Sequence, residues 1–146
     1  MILTVTPNVA LDITYRVDQL TPGLSHRVRS VEERAGGKGV NVARALQALG
    51  HDTVVLGLVG GATAAAVTAD LAREGLTHEL ITVEGQTRRS IAVVDARDDE
   101  ATLFNEPGPH VPATSWNDLE ARLAARLPGA TALVVSGSLP PGAGDD

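Results

Sequence analysis

Ala35-Gly36-Gly37-Lys38-Gly39-Val40-Asn41, running without a break into a helical pattern over residues 42–49, decides the fold. Three glycines within four residues admit positive φ and leave no Cβ in the way, so consecutive N–H groups can converge on one ligand atom. Lys38 adds a point charge, and the helix that begins there adds unpaired N–H groups and the positive end of its dipole. A plain strand-to-helix turn needs fewer glycines and no embedded lysine, so the stretch reads as a binding turn for an anion or a row of hydroxyls. It is not a P-loop, because Gly39 stands where Ser or Thr must follow the lysine and Glu32 where the first glycine belongs. Nor is it a Rossmann fingerprint, whose last glycine or alanine would fall on Val42.

The composition sets bounds around this turn. With 146 residues, 43% of them hydrophobic, the chain can bury the core of one globular domain. Aromatic residues are only 2% and the net charge is −6, which argues against a nucleic-acid surface of basic patches and stacking rings. There is no cysteine, so disulfides and thiolate sites are excluded, and four histidines without helical i, i+4 spacing make a metal site a poor reading. No basic leader and no bilayer-length apolar run is present, so the expectation is a cytoplasmic protein that does not engage a membrane.

Outward from the glycine turn, residues 2–6 form a β-branched run closed by Pro7-Asn8, and residues 12–18 alternate like a half-exposed strand. Thr21-Pro22-Gly23 is a turn, after which residues 27–31 read as a second exposed strand, antiparallel to the first. Val40, Ala43, Leu46 and Leu49 recur at a helical turn, with Gly50 placed to close the helix. Residues 53–59 and 131–135 are continuous apolar runs, as strands covered on both faces should be. A second helix is expected from Gly60-Gly61 to Glu74, and a third over 114–126 with Thr114 or Ser115 as N-cap. Short strands are expected at 80–83, 90–94 and 101–104, with 95–100 as a polar hairpin tip. Strands alternating with helices imply an α/β fold with a parallel sheet, and the exposed strands a smaller antiparallel layer beside it. In such sheets ligands gather at the carboxyl ends of the strands, where Pro7-Asn8 and the turn Ser136-Gly137-Ser138-Leu139-Pro140-Pro141-Gly142 both lie.

Taken together, Thr4-Val5-Thr6-Pro7-Asn8 with Asp12, Arg27, the run Gly36 to Ala43, Gly57-Leu58-Val59-Gly60-Gly61, Thr87-Arg88 and the Ser136 to Gly142 turn resemble the ribokinase-like (PfkB-type) carbohydrate kinases. Within them the similarity is greatest to the branch of 1-phosphofructokinase and tagatose-6-phosphate kinase, and it covers essentially the whole chain. The resemblance implies a ribokinase-like αβα domain with a small β-sheet lid. Its lid strands would lie within 12–33 and 79–104, and residues 1–146 would be the amino-terminal part of the kinase domain. It also implies ATP-dependent phosphorylation of a sugar phosphate with magnesium, fructose 1-phosphate before tagatose 6-phosphate or fructose 6-phosphate, and a homodimer paired through the lid.

Carried over by residue, the resemblance gives Asp12, Asn41 and the backbone of Gly36 and Gly37 to sugar hydroxyls. Arg27, Lys38, Arg88 and Ser138 go to the phosphate already on the substrate. Two departures stand out: Val9 where proline is common and Gln86 where Glu is frequent. The family's catalytic base and anion hole belong to a second signature that lies further along than this chain runs. Gly142-Ala143-Gly144-Asp145 matches part of it in letters only, so no catalytic residue is expected here and Asp145 is not the base. The chain alone is expected not to catalyse. A sugar-phosphate-binding protein without turnover, a gene remnant, and a ribose or nucleoside kinase remain open as alternatives; the three cations speak against the last, since a neutral sugar needs no such cluster.

Overall fold

The computed structural model of the chain describes residues 1–144; Asp145 and Asp146, and the reading of Asp145, lie outside the described residues. Two four-stranded sheets stand side by side. The first is parallel, in the order β5 (Thr77–Thr82), β4 (Thr53–Val59), β1 (Ile2–Thr6), β8 (Ala132–Val135). The second runs β3 (Ser30–Gly36), β2 (Ala10–Val17), β6 (Arg88–Asp95), β7 (Ala101–Asn105). Helices α1 (Lys38–Ala48), α2 (Gly61–Arg73) and α3 (Ala113–Arg126) complete the chain.

Strand β4 shows why a parallel sheet forms. All seven of its residues are buried. Val55 and Val59 enter a core shared with Val40 and Ala43 of α1 and Val67 and Leu71 of α2. Val54, Leu56 and Leu58 enter a second core with Leu119 of α3. A strand with helices on both faces must be apolar throughout. Helices α1 and α2 both end on a glycine of positive φ, Gly50 and Gly75, each followed by an N–H returning to the last turn (His51 to Leu46 O, 3.0 Å; Leu76 to Leu71 O, 2.9 Å). At its start α1 lies so close to β1 that a Cβ on Gly39 would overlap the Thr6 hydroxyl and the Val5 carbonyl.

The sequence-based expectations need correction at five points. The strand expected at 80–83 begins at Thr77 and pairs in parallel with β4, so the second sheet takes only β6 and β7 from the region 79–104. The strand expected at 27–31 is Ser30–Gly36, and the first lid strand starts at Ala10. The second sheet is neither smaller nor wholly antiparallel: β2 and β6 are parallel, since both enter it from the same end of the first sheet. Helix α3 is preceded by Pro112 without a side-chain cap, not by Thr114 or Ser115. Finally, β8 is mostly exposed; among the described residues it pairs with β1 alone, while α3 packs over β4 and β5.

Candidate functional site

The chain passes between the two sheets four times, at residues 7–9, at Gly37, at 83–87 and at 106–112. Residues of two passages (Asn8; Glu106 and Pro107) and the residues that directly follow the other two (Lys38 and Arg88) line one open cleft of about 710 Å³, which the turn from Gly137 to Ala143 completes. Buried Asn8 organises it. Its side-chain amide nitrogen donates to the Pro107 carbonyl (2.9 Å) and to the Ser138 hydroxyl (3.3 Å), and its backbone carbonyl accepts from Arg88 Nε (3.2 Å).

Three of the predicted phosphate contacts, Lys38, Arg88 and Ser138, therefore share the cleft. Gly37, at φ 105°, and Gly36 precede α1, whose first turn has no side-chain cap and no acidic residue. Lys38 opens that helix at the positive end of its dipole, where a cation is unfavourable by roughly 0.3–1 kcal/mol. An anion arriving in the cleft is attracted both by Lys38 and by the helix N-terminus, which offsets that cost.

Asp12 and Asn41 line a second hollow of about 240 Å³, together with Arg34 and Arg44. The Asp12 carboxylate lies against the Cα of Gly36, and any Cβ there would overlap it. It makes no hydrogen bond to a described residue, and burial holds its pKa above the ordinary value in spite of Arg88, Arg44 and Arg34 nearby. A half-buried acceptor left unbonded is a group awaiting a donor.

Arg27 does not join these residues. It is exposed in the segment before β3, at the far end of the β2–β3 ladder, where the Arg29 N–H donates to Arg16 O (2.7 Å). The seven residues of β3 put it roughly 20 Å from Gly36. The expected cluster of three cations around one phosphate is thus two within this chain.

Residue types alone did not reveal three further participants. Asn8 had a signal, an amide straight after a proline at a strand's carboxyl end. Arg44 sits one helical turn after Asn41, a position that usually means a solvated side chain. Glu106 is known only from the fold: its carboxylate accepts from the Arg89 N–H (2.8 Å) and guanidinium, fixing the strand end from which Arg88 projects. A separate hollow of about 370 Å³ at Gln47, His51, Asp52 and Arg126 gathers none of the predicted residues.

Residues 5–146 match the model of the pfkB family carbohydrate kinases. The chain belongs to that family. This pfkB chain is 38% identical over 144 residues to a 1-phosphofructokinase of Xanthomonas campestris, covering 99% of this chain and 45% of the relative. It is 32% identical to a tagatose-6-phosphate kinase of Staphylococcus epidermidis, covering 100% and 46%. The structure of Escherichia coli phosphofructokinase-2 in complex with fructose 6-phosphate superposes with a TM-score of 0.92 at 30% identity, over 98% of this chain and 47% of that one. The pfkB chain spans about half the length of the relatives it matches.

Proposed function

We propose that this chain is the sugar-phosphate-binding half of an ATP-dependent hexose-phosphate kinase, with fructose 1-phosphate the preferred acceptor and fructose 1,6-bisphosphate the product. The observation that carries the reading is Lys38 at the positive end of α1 facing the same cleft as Arg88 and Ser138. Two cations beside the uncapped N–H groups of a helix suit a phosphate dianion better than a neutral sugar. In this reading Lys38, Arg88 and Ser138 hold the substrate's existing phosphate. Asp12 accepts from one hydroxyl, Asn41 donates to another, and the Gly36-Gly37 backbone lets the sugar ring approach. Holding the acceptor by both ends restricts its hydroxyl to one line of attack, and positioning of this kind is the larger part of phosphoryl-transfer catalysis.

ATP with magnesium supplies the transferred phosphoryl group. We place its site outside the described residues, among which no group of three or more His, Asp or Glu could hold a metal ion and the two cleft cations are donors only. Nucleotide, magnesium and catalytic base are accordingly assigned to the part of the whole protein that this chain does not span, and the chain alone is expected not to turn over. Pairing of two copies through the second sheet is supported by its exposed Val31, Leu103 and Phe104. No helix among the described residues is long and apolar enough to cross a membrane, which agrees with the proposed cytoplasmic location.

Isothermal titration of the chain with fructose 1-phosphate and with fructose tests the assignment. The phosphorylated sugar should bind at least roughly tenfold tighter, and Arg88→Ala should remove that advantage. Equal binding of both sugars would overturn the substrate assignment and leave the family membership untouched.

A further inference from the structure

We propose that Arg44 is a positioning residue that fixes which end of the Asn41 amide meets the sugar. The inference rests on the reading above, in which Asn41 contacts a substrate hydroxyl. Arg44 leaves α1 half-buried, and each nitrogen of its guanidinium donates: Nε to Glu74 Oε2 (2.6 Å), Nη2 to the Ala35 carbonyl (2.8 Å) and Asp70 Oδ2 (3.4 Å), Nη1 to Asn41 Oδ1 (2.9 Å). Glu74 is itself held by Arg34 (2.9 Å), so the fork is anchored from both sides.

A guanidinium can only donate. The Asn41 atom facing it must therefore be the carbonyl oxygen, and the NH₂ is the end left over. That NH₂ makes no hydrogen bond to any described residue, and Asn41 borders the hollow it shares with Asp12. Asp12 is acceptor-only, so the two side chains present one acceptor and one donor to neighbouring hydroxyls. Without Arg44 the amide can rotate by half a turn and offer a second acceptor beside the Asp12 carboxylate, where a hydroxyl finds no donor.

Arg44 also ties α1 to α2 and to the end of β3, so loss of stability alone would not test the proposal. A double-mutant cycle in the 146-residue chain does, with fructose 1-phosphate affinity read by calorimetry and folding by Tm. Arg44→Lys keeps a cation near Glu74 and removes the fork. It should weaken binding roughly tenfold in the parent chain and less than twofold on an Asn41→Ala background, with Tm falling similarly in both. Equal weakening in the two backgrounds would mean Arg44 only braces the fold, and would overturn the proposal while leaving the site assignment standing. If Asn41→Ala itself leaves the affinity unchanged, or the parent chain does not bind fructose 1-phosphate, the reading of the site fails and the proposal with it.

Discussion

Asp12 shows how a binding residue and a stabilising residue can be opposites. Its carboxylate is half-buried and unbonded, and burial raises its pKa above the unfolded value. A carboxyl shifted that way costs stability at pH above its folded pKa; the cost shrinks as the pH falls through the folded pKa and is gone below the unfolded one. Asp12→Asn should therefore raise the Tm of the empty chain at pH 7, with the gain shrinking on acidification toward the carboxylate range, while weakening fructose 1-phosphate. Thermal melts with and without ligand at two pH values check both halves, and a lower Tm at pH 7 would contradict the account. Gly36 follows from the same carboxylate: only a residue without Cβ leaves room for it.

At the level of the elements, the joint between α1, α2 and β3 carries the turn that precedes the site. Asp70 of α2 is buried and accepts the Ala35 N–H at 2.7 Å. Burial pushes its pKa up, but that N–H together with Arg73 and Arg44 outweighs burial and holds it below the ordinary value. The stability it contributes is thus present above the unfolded pKa and lost as pH falls through the folded one. Asp70→Asn should cost about 2 kcal/mol at pH 7: the amide oxygen can still accept the Ala35 N–H, and what is lost is the charge in that bond and in the Arg44 contact, Arg73 being solvent-exposed. Denaturant titrations at pH 7 and in acid should show the two chains converging in acid.

Elements of this kind differ in how openly the sequence declares them. Strand β4 and helices α1 and α2 were legible because burial on two faces or one stripe writes a period into the residues, and Gly50 and Gly75 mark where the helices stop. Strand β5 was misallotted because Thr77–Thr82 has no period of its own; its place depends on pairing with β4. At the site, Lys38, Arg88 and Ser138 came with their motifs. Arg27 came with a motif too, but only the ladder length shows that it stands at the wrong end of β3. Asn8 and Arg44 matter through partners 80 or more and up to 30 residues away, a separation that no local pattern encodes.

For the whole molecule, the consequence of β8 is self-association. Val135 and Leu133 are 60% and 40% exposed on a strand whose outer edge has no partner among the described residues. An apolar edge of unpaired N–H and C=O groups templates another chain. Sedimentation of the 146-residue chain should show concentration-dependent association, and Val135→Lys should reduce it without lowering Tm; a monodisperse parent chain would contradict this. The four passages between the sheets have a different consequence. Asn8 and Glu106-Pro107 belong to two of these straps, and Lys38 and Arg88 directly follow the other two, so the cleft lies along the seam that joins the two sheets. A molecule held by both Lys38 and Arg88 therefore bridges the first residue of α1 and the first residue of β6 across that seam.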